Sequence, residues 1–183
     1  MAILTYNQKL ILQLYNDFYG MQYPFFGVGH DEERTRTHIN AQKMCFLLQL
    51  IDLDIGEFGY SWNYHGPFSP GLLAALRSLD AREEAAKEYY KSDSNIKELL
   101  LEEEIESIHS LMKKIALQDH SEDISKWMEL LGSIAYLSNS VLPGEDFIKV
   151  NEELKRRKSM FEDDTINICA WDTLKKAGLL KYS

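Results

Sequence analysis

The chain has 183 residues, long enough to bury a sizeable core, and its 45% hydrophobic and 27% charged content is that of an ordinary globular protein. A formal net charge of −9 works against unaided attraction to phosphate backbones and anionic membrane surfaces. No run approaches the roughly twenty apolar residues of a membrane span, and no charged-then-apolar leader opens the chain, so a cytoplasmic protein is expected.

The first element is a helix starting at Thr5. Thr5 and Gln8 have capping-box spacing, and Leu10, Ile11, Leu14, Tyr15 and Phe18 recur at helical intervals until Gly20. Met21 to Asp31 reads as a loop. A second helix is predicted from Thr35 or Thr37, with Ile39, Met44, Phe46, Leu47, Leu50 and Ile51 forming a broad apolar stripe suited to a central helix. Asp52 to Gly59 connects it to the next element.

Tyr60 to Leu79 is the stretch around which the rest is organised. Tyr60, Trp62 and Tyr64 alternate with Ser61, Asn63 and His65, the period of a half-buried strand. Gly66-Pro67 is expected to break that strand, because proline has no N–H for a ladder. Ser69-Pro70 then gives a helix start, with Leu72, Leu73, Leu76 and Leu79 on one face behind it.

Beyond Leu79 the signs alternate through Arg82, Glu83, Glu84, Lys87 and Glu88, so 81–95 reads as a solvated helix, a wing or a linker, with a cap at Ser94 or Asn95. Three further helices are predicted over Ile96–Leu117, over Ile124–Leu137 with Trp127, Leu130, Leu131 and Ile134 apolar, and from Phe147 to the basic run Lys155–Lys158. The last helix, about Asp163 to Ala177, is expected to face Ile166, Cys169, Ala170 and Leu174 inward, with Gly178 as its left-handed cap.

These elements predict a mainly α protein with a small β element, and one domain over 1–183. Its centre, 1–80, is winged-helix-like, with additional packed helices in 96–183. The run from Tyr60 resembles the Y-x-F-x-W-Y-x-x-G-P-[YF]-S-x-x-L signature of the YwgA-like bacterial proteins, through Tyr60, Trp62, Tyr64, Gly66, Pro67, Phe68, Ser69 and Leu72. It is more remotely similar to the SocA-like (Panacea) antitoxin domains. Ala41 to Leu48 resembles the family's K-L-Q-K-L-[VI]-F-L-L helix. Glu129-Leu130-Leu131, Ile134, Tyr136-Leu137, Lys158, Phe161, Ala170-Trp171, Leu174 and Gly178-Leu179-Leu180 match its C-terminal pattern. The resemblance implies an antitoxin-like or defence-associated regulator, whose partner is a toxin or a nucleic-acid-processing enzyme.

No P-loop, GxSxG or dinucleotide fingerprint is present, and the residues point to no enzyme activity and no cofactor. The cysteines, Cys45 and Cys169, lie in apolar helical stretches without CxxC spacing and read as buried, reduced thiols. His30-Asp31-Glu32-Glu33 has metal-ligand composition, but consecutive side chains splay apart, so no metal is expected. Glu102, Glu103, Glu104 and Glu106 read as a solvated face, and Arg34, Arg36 and His38 suit either an anion or a solvated first turn.

Two binding surfaces remain. Tyr60, Trp62, Tyr64, His65 and Phe68 offer aromatic bodies with polar tips, suited either to the core or to a protein partner's groove. Arg77, Arg82, Lys155, Arg156, Arg157 and Lys158 are the cations a winged-helix DNA-binding regulator would use; for the last four the alternative is complementing a helix C-terminus. Self-association is left open.

Overall fold

The computed structural model describes residues 3–20, 24–26, 31–91, 96–120 and 123–181. Within them the protein is mainly helical with a small β element, as predicted, the β element being one two-stranded antiparallel sheet. By contact it divides into two compact units. One comprises Met1–Tyr60 and Ser69–His109; the other comprises Ser61–Phe68 and Ser110–Ser183.

The first unit is built on α1 (Tyr6–Tyr19), which packs against α2 (Asp31–Gln49), α3 (Pro70–Asp80) and α4 (Glu83–Lys91). Thr5 caps α1 through the expected reciprocal box with Gln8, and Leu10, Ile11, Leu14, Tyr15 and Phe18 are all buried. α2 begins at Asp31, earlier than predicted, because Asp31, Glu32 and Glu33 suit a first turn whose N–H groups favour acids. From Asn40 to Leu48 every residue of α2 is buried, which makes it the covered helix its broad stripe foretold. α3 starts at the cap Ser69, whose hydroxyl accepts from the Leu72 N–H at 3.3 Å, and buries Leu72, Leu76 and Leu79. The stretch after Leu79 is helical as α4, while 92–95, with the cap expected at Ser94 or Asn95, lies outside the described residues.

A single helix over 96–117 does not form. A short 3-10 turn covers Ile96–Glu98, and α5 runs only from Glu102 to Lys114, its start held by Glu104, which accepts from the Leu101 N–H at 2.7 Å. The boundary between the two units falls within α5.

The second unit is centred on α6 (Ile124–Tyr136), which contacts the hairpin segment Gly66–Phe68, α7 (Phe147–Arg157) and α8 (Asp164–Ala177). Trp127, Leu130, Leu131 and Ile134 are buried on it. Its end widens into a π-helical turn, Leu137–Val141. Asn139 of that turn fixes the chain's last segment, donating to the Leu179 carbonyl and accepting from the Lys181 N–H, both at 2.8 Å.

α8 buries Ala170 and Leu174 as predicted but departs from its predicted facing at Ile166 and Cys169. Its buried residues are Asn167, Ala170, Trp171 and Leu174, while Ile166, Ile168 and Cys169 are exposed. A polar residue takes the inward position because it has buried partners: Asn167 Nδ2 donates to Asn151 Oδ1 and to the Phe161 carbonyl, both at 2.8 Å. The expectation of two buried thiols therefore holds for Cys45 alone. Gly178 closes α8 in the left-handed conformation, φ 75°, as predicted. Among the described residues no helix is long and apolar enough to cross a membrane.

Candidate functional site

The Gly66-Pro67 pair does not end the strand; it forms the second one. β1 (Ser61–Asn63) and β2 (Gly66–Phe68) pair antiparallel, with Trp62 opposite Pro67 and Asn63 opposite Gly66, around a two-residue turn of Tyr64 and His65. Proline is tolerated because a two-stranded sheet consists of edges, where a missing N–H breaks no inner ladder. Gly66 is required twice over. Its φ of 86° suits only glycine, and a Cβ there would lie 2.6 Å from the Ser133 hydroxyl on α6. The hairpin base is thus seated on α6, with Gly66 and Pro67 buried, while Tyr64 at the tip is 81% exposed.

Trp62 is gripped by the end of α7. The Arg157 guanidinium lies 4.9 Å from its ring centroid, Lys158 Nζ 5.8 Å, and the Tyr136 ring is tilted against it at 5.9 Å. Such cation–π contacts stabilise by about 0.5–2 kcal/mol, more when water is excluded. Lys158 is only 5% exposed and forms an ion pair with Glu129 of α6, which is 8% exposed. Burial lowers the Lys158 pKa, and the hydrogen bond and charge of Glu129 pull it back up. His65 completes the cluster from the turn, its Nδ1 3.6 Å from Glu129 Oε2.

The rest of the basic run is paired as well. Arg157 Nε meets Glu153 Oε1 at 2.5 Å, and Arg156 donates to both Glu153 oxygens at 2.6 and 2.7 Å. Arg156 above all holds the Glu153 carboxyl down at about 2. Lys155 Nζ lies 2.8 Å from Asp164. These cations do more than complement a helix terminus: each has a carboxylate within reach.

The structure therefore unites residues from both predicted surfaces. Trp62, His65, Arg157 and Lys158 form one cluster, with Tyr64 projecting beside it and Phe68 half-buried at the strand end. Tyr60 belongs to the first unit, where its ring meets Phe46 edge-on at 5.0 Å and burial raises its hydroxyl pKa. Arg77 and Arg82 belong there too; Arg82 donates to Ser78 at 2.7 Å and Gln8 at 3.3 Å. His38 pairs with Asp80 at 3.0 Å. His30 lies outside the described residues, and among those described no group of three His, Cys, Asp or Glu side chains is placed to hold a metal ion.

Sequence reasoning about binding residues missed Glu129, Ser133, Tyr136 and Glu153. Glu129 had a signal: it is the sole charged residue in the apolar run from Trp127 to Tyr136, and an acid on a covered helix needs a buried partner. Chemically, the cluster is a rigid mount. Its lysine and carboxylate are committed to each other, and the side chain left free to meet another molecule is Tyr64, with the His65 edge beside it at a ring separation of 4.9 Å. No family model, curated protein or solved structure matches the chain.

Proposed function

We propose that the chain is a non-enzymatic interaction module that binds a protein partner on the hairpin face of its second unit, around Tyr64, His65 and Trp62. The observation that carries this reading is Tyr64. A large aromatic stands 81% exposed at a turn whose flanking strand residues Gly66 and Pro67 are buried, so its backbone is already placed and the ordering cost on entering a partner's pocket falls on the side chain alone. Tyrosine and tryptophan mounted this way are the residue types that dominate interface energetics.

The pairing of the basic run supports a protein partner over a phosphate backbone. Lys155, Arg156, Arg157 and Lys158 face Asp164, Glu153 and Glu129, and the whole chain carries −9. The resemblance of the Tyr60–Leu72 motif suggests that the setting is antitoxin-like or defence-associated, with a toxin or nucleic-acid-processing enzyme as partner.

The test is affinity for a partner identified with the wild-type protein, measured again with Tyr64→Ala and Trp62→Ala. Tyr64→Ala is expected to weaken binding about 30-fold, which is roughly 2 kcal/mol, with an unchanged melting temperature. Unchanged affinity in both folded variants removes the hairpin as the interface. Anisotropy of labelled duplex DNA and single-stranded RNA across a salt series checks the rival: steady weakening with salt would favour the DNA-binding regulator.

A further inference from the structure

The second unit contains a cleft of about 390 Å³ between the N-terminal ends of α6 and α8, within the range of roughly 300–1,000 Å³ typical of small-molecule sites. Its buried floor is apolar, made of Trp127 and Leu130 from α6 and Phe161 from the turn before α8, and the exposed Ile166 of α8 lines its edge. The indole is fixed, because Trp127 Nε1 donates to the Ile115 carbonyl at 2.8 Å, and the His120 ring stacks on it at 3.7 Å and 16°. Burial lowers the His120 pKa against the pull of Asp119, which favours the uncharged ring.

The rim is acidic. Asp119, Asp123 and Asp163 line it against a single ammonium, Lys126. Two helix N-termini would ordinarily attract an anion, but both are already capped by these acids. Asp123 accepts from the Lys126 N–H at 3.0 Å, and Asp163 from the Thr165 N–H at 2.9 Å. An anion would therefore meet carboxylates where it needs donors, whereas a cation meets complementary charge above an aromatic and aliphatic floor.

We propose that this cleft binds a small organic cation: a primary amine or guanidinium on an apolar body, its head toward the three aspartates and its body on Trp127, Leu130 and Phe161. The cleft adjoins the hairpin cluster where Lys158 Nζ lies 5.6 Å from the Phe161 ring centroid, but its lining residues are different ones and neither reading depends on the other. The same chemistry is carried by a free amine and by an arginine side chain of a peptide, and the two sources are separable by experiment.

The probes are n-butylguanidinium and its neutral isostere n-butylurea, titrated into the full chain by calorimetry and followed by amide and indole NMR shifts. The expected result is saturable one-to-one binding of the cation, at least about tenfold tighter than the urea, with the Trp127 indole signal moving most. Asp119→Asn/Asp123→Asn/Asp163→Asn is expected to abolish that preference, and asparagine keeps both helix caps. Should the triple variant fail to fold, the wild-type comparison of cation with urea decides alone. No saturation up to about 10 mM, equal binding of the urea, or shifts centred elsewhere would overturn the proposal. N-acetyl-arginine amide binding about tenfold tighter than n-butylguanidinium would assign a peptide source, and equal or weaker binding a free small cation.

Discussion

In the first unit, Gln42 holds the start of α3 with two neutral hydrogen bonds: its Nε2 donates to the Ser69 carbonyl at 2.9 Å, and its Oε1 accepts from the Ser69 N–H at 2.8 Å. In the second, Glu129 holds Lys158 with opposite charges. Both clamps are buried and each secures a segment next to the central motif, yet their physics differs. The amide matches a backbone N–H and C=O with no charge to desolvate, so it is insensitive to pH. The ion pair has two costly desolvations offset by attraction, so its worth depends on both partners remaining. The neutral clamp sits where only a helix start must be fixed. The charged one sits where a lysine is also asked to lie against Trp62.

Removing half of the charged clamp is expected to have the largest effect. Glu129→Ala leaves Lys158 buried without its carboxylate and should destabilise by about 3–5 kcal/mol in urea unfolding. Glu129→Leu/Lys158→Met, which removes both charges, should recover most of that. If the single and double variants are equally unstable, the pair is not the source of the loss. The sign of the pH effect follows from Lys158, whose folded pKa lies below its ordinary value. Between those two pH values the unfolded chain binds more protons, so stability rises with pH there, and more steeply in Glu129→Ala.

The seat beneath the hairpin comes next. Gly66→Ala forces a side chain into φ 86° and against the Ser133 hydroxyl, for an expected loss of about 2–4 kcal/mol. Adding Ser133→Gly should return only the steric part, and a thermal-melt cycle reads the difference. Breaking the neutral clamp is expected to be milder. Gln42→Leu strands the Ser69 N–H, but the Ser69 carbonyl still accepts from Leu73 N–H at 3.0 Å, so about 2 kcal/mol should be lost, with the same value at pH 5 and pH 8. A pH-dependent loss there would break the contrast between the clamps.

The smallest effect belongs to the surface. Glu153, held at about 2 against an ordinary 4.5, contributes stability that is complete above 4.5 and lost as the pH falls through 2. Because Arg156 is exposed, solvent screening keeps that contribution small. Carboxyl NMR titration should place the midpoint near 2 and move it back toward 4.5 in Arg156→Gln.

Much of the fold was legible in the chain because helix caps and apolar periodicity act over three or four residues. The Thr5–Gln8 box, the Ser69-Pro70 start and the Gly178 stop are each written locally and each formed. Reading failed where a residue's role depends on a distant partner. Pro67 looked like a break until it was paired with Trp62 in an edge strand. Ile166 and Cys169 looked buried by polarity, but Asn167 faces inward because Asn151, sixteen residues away, satisfies it. Of the candidate site, sequence alone determined the residue types: aromatics at the turn, cations at the end of α7 and an acid on an apolar helix. Tertiary structure decided that Glu129 meets Lys158 across 29 residues, that Arg157 covers Trp62, and that Tyr64 is the ring left in solvent. Hydrophobic burial is non-directional and marks what must be covered, whereas pairing a charge or stacking a ring requires a specific neighbour, which only the folded chain supplies.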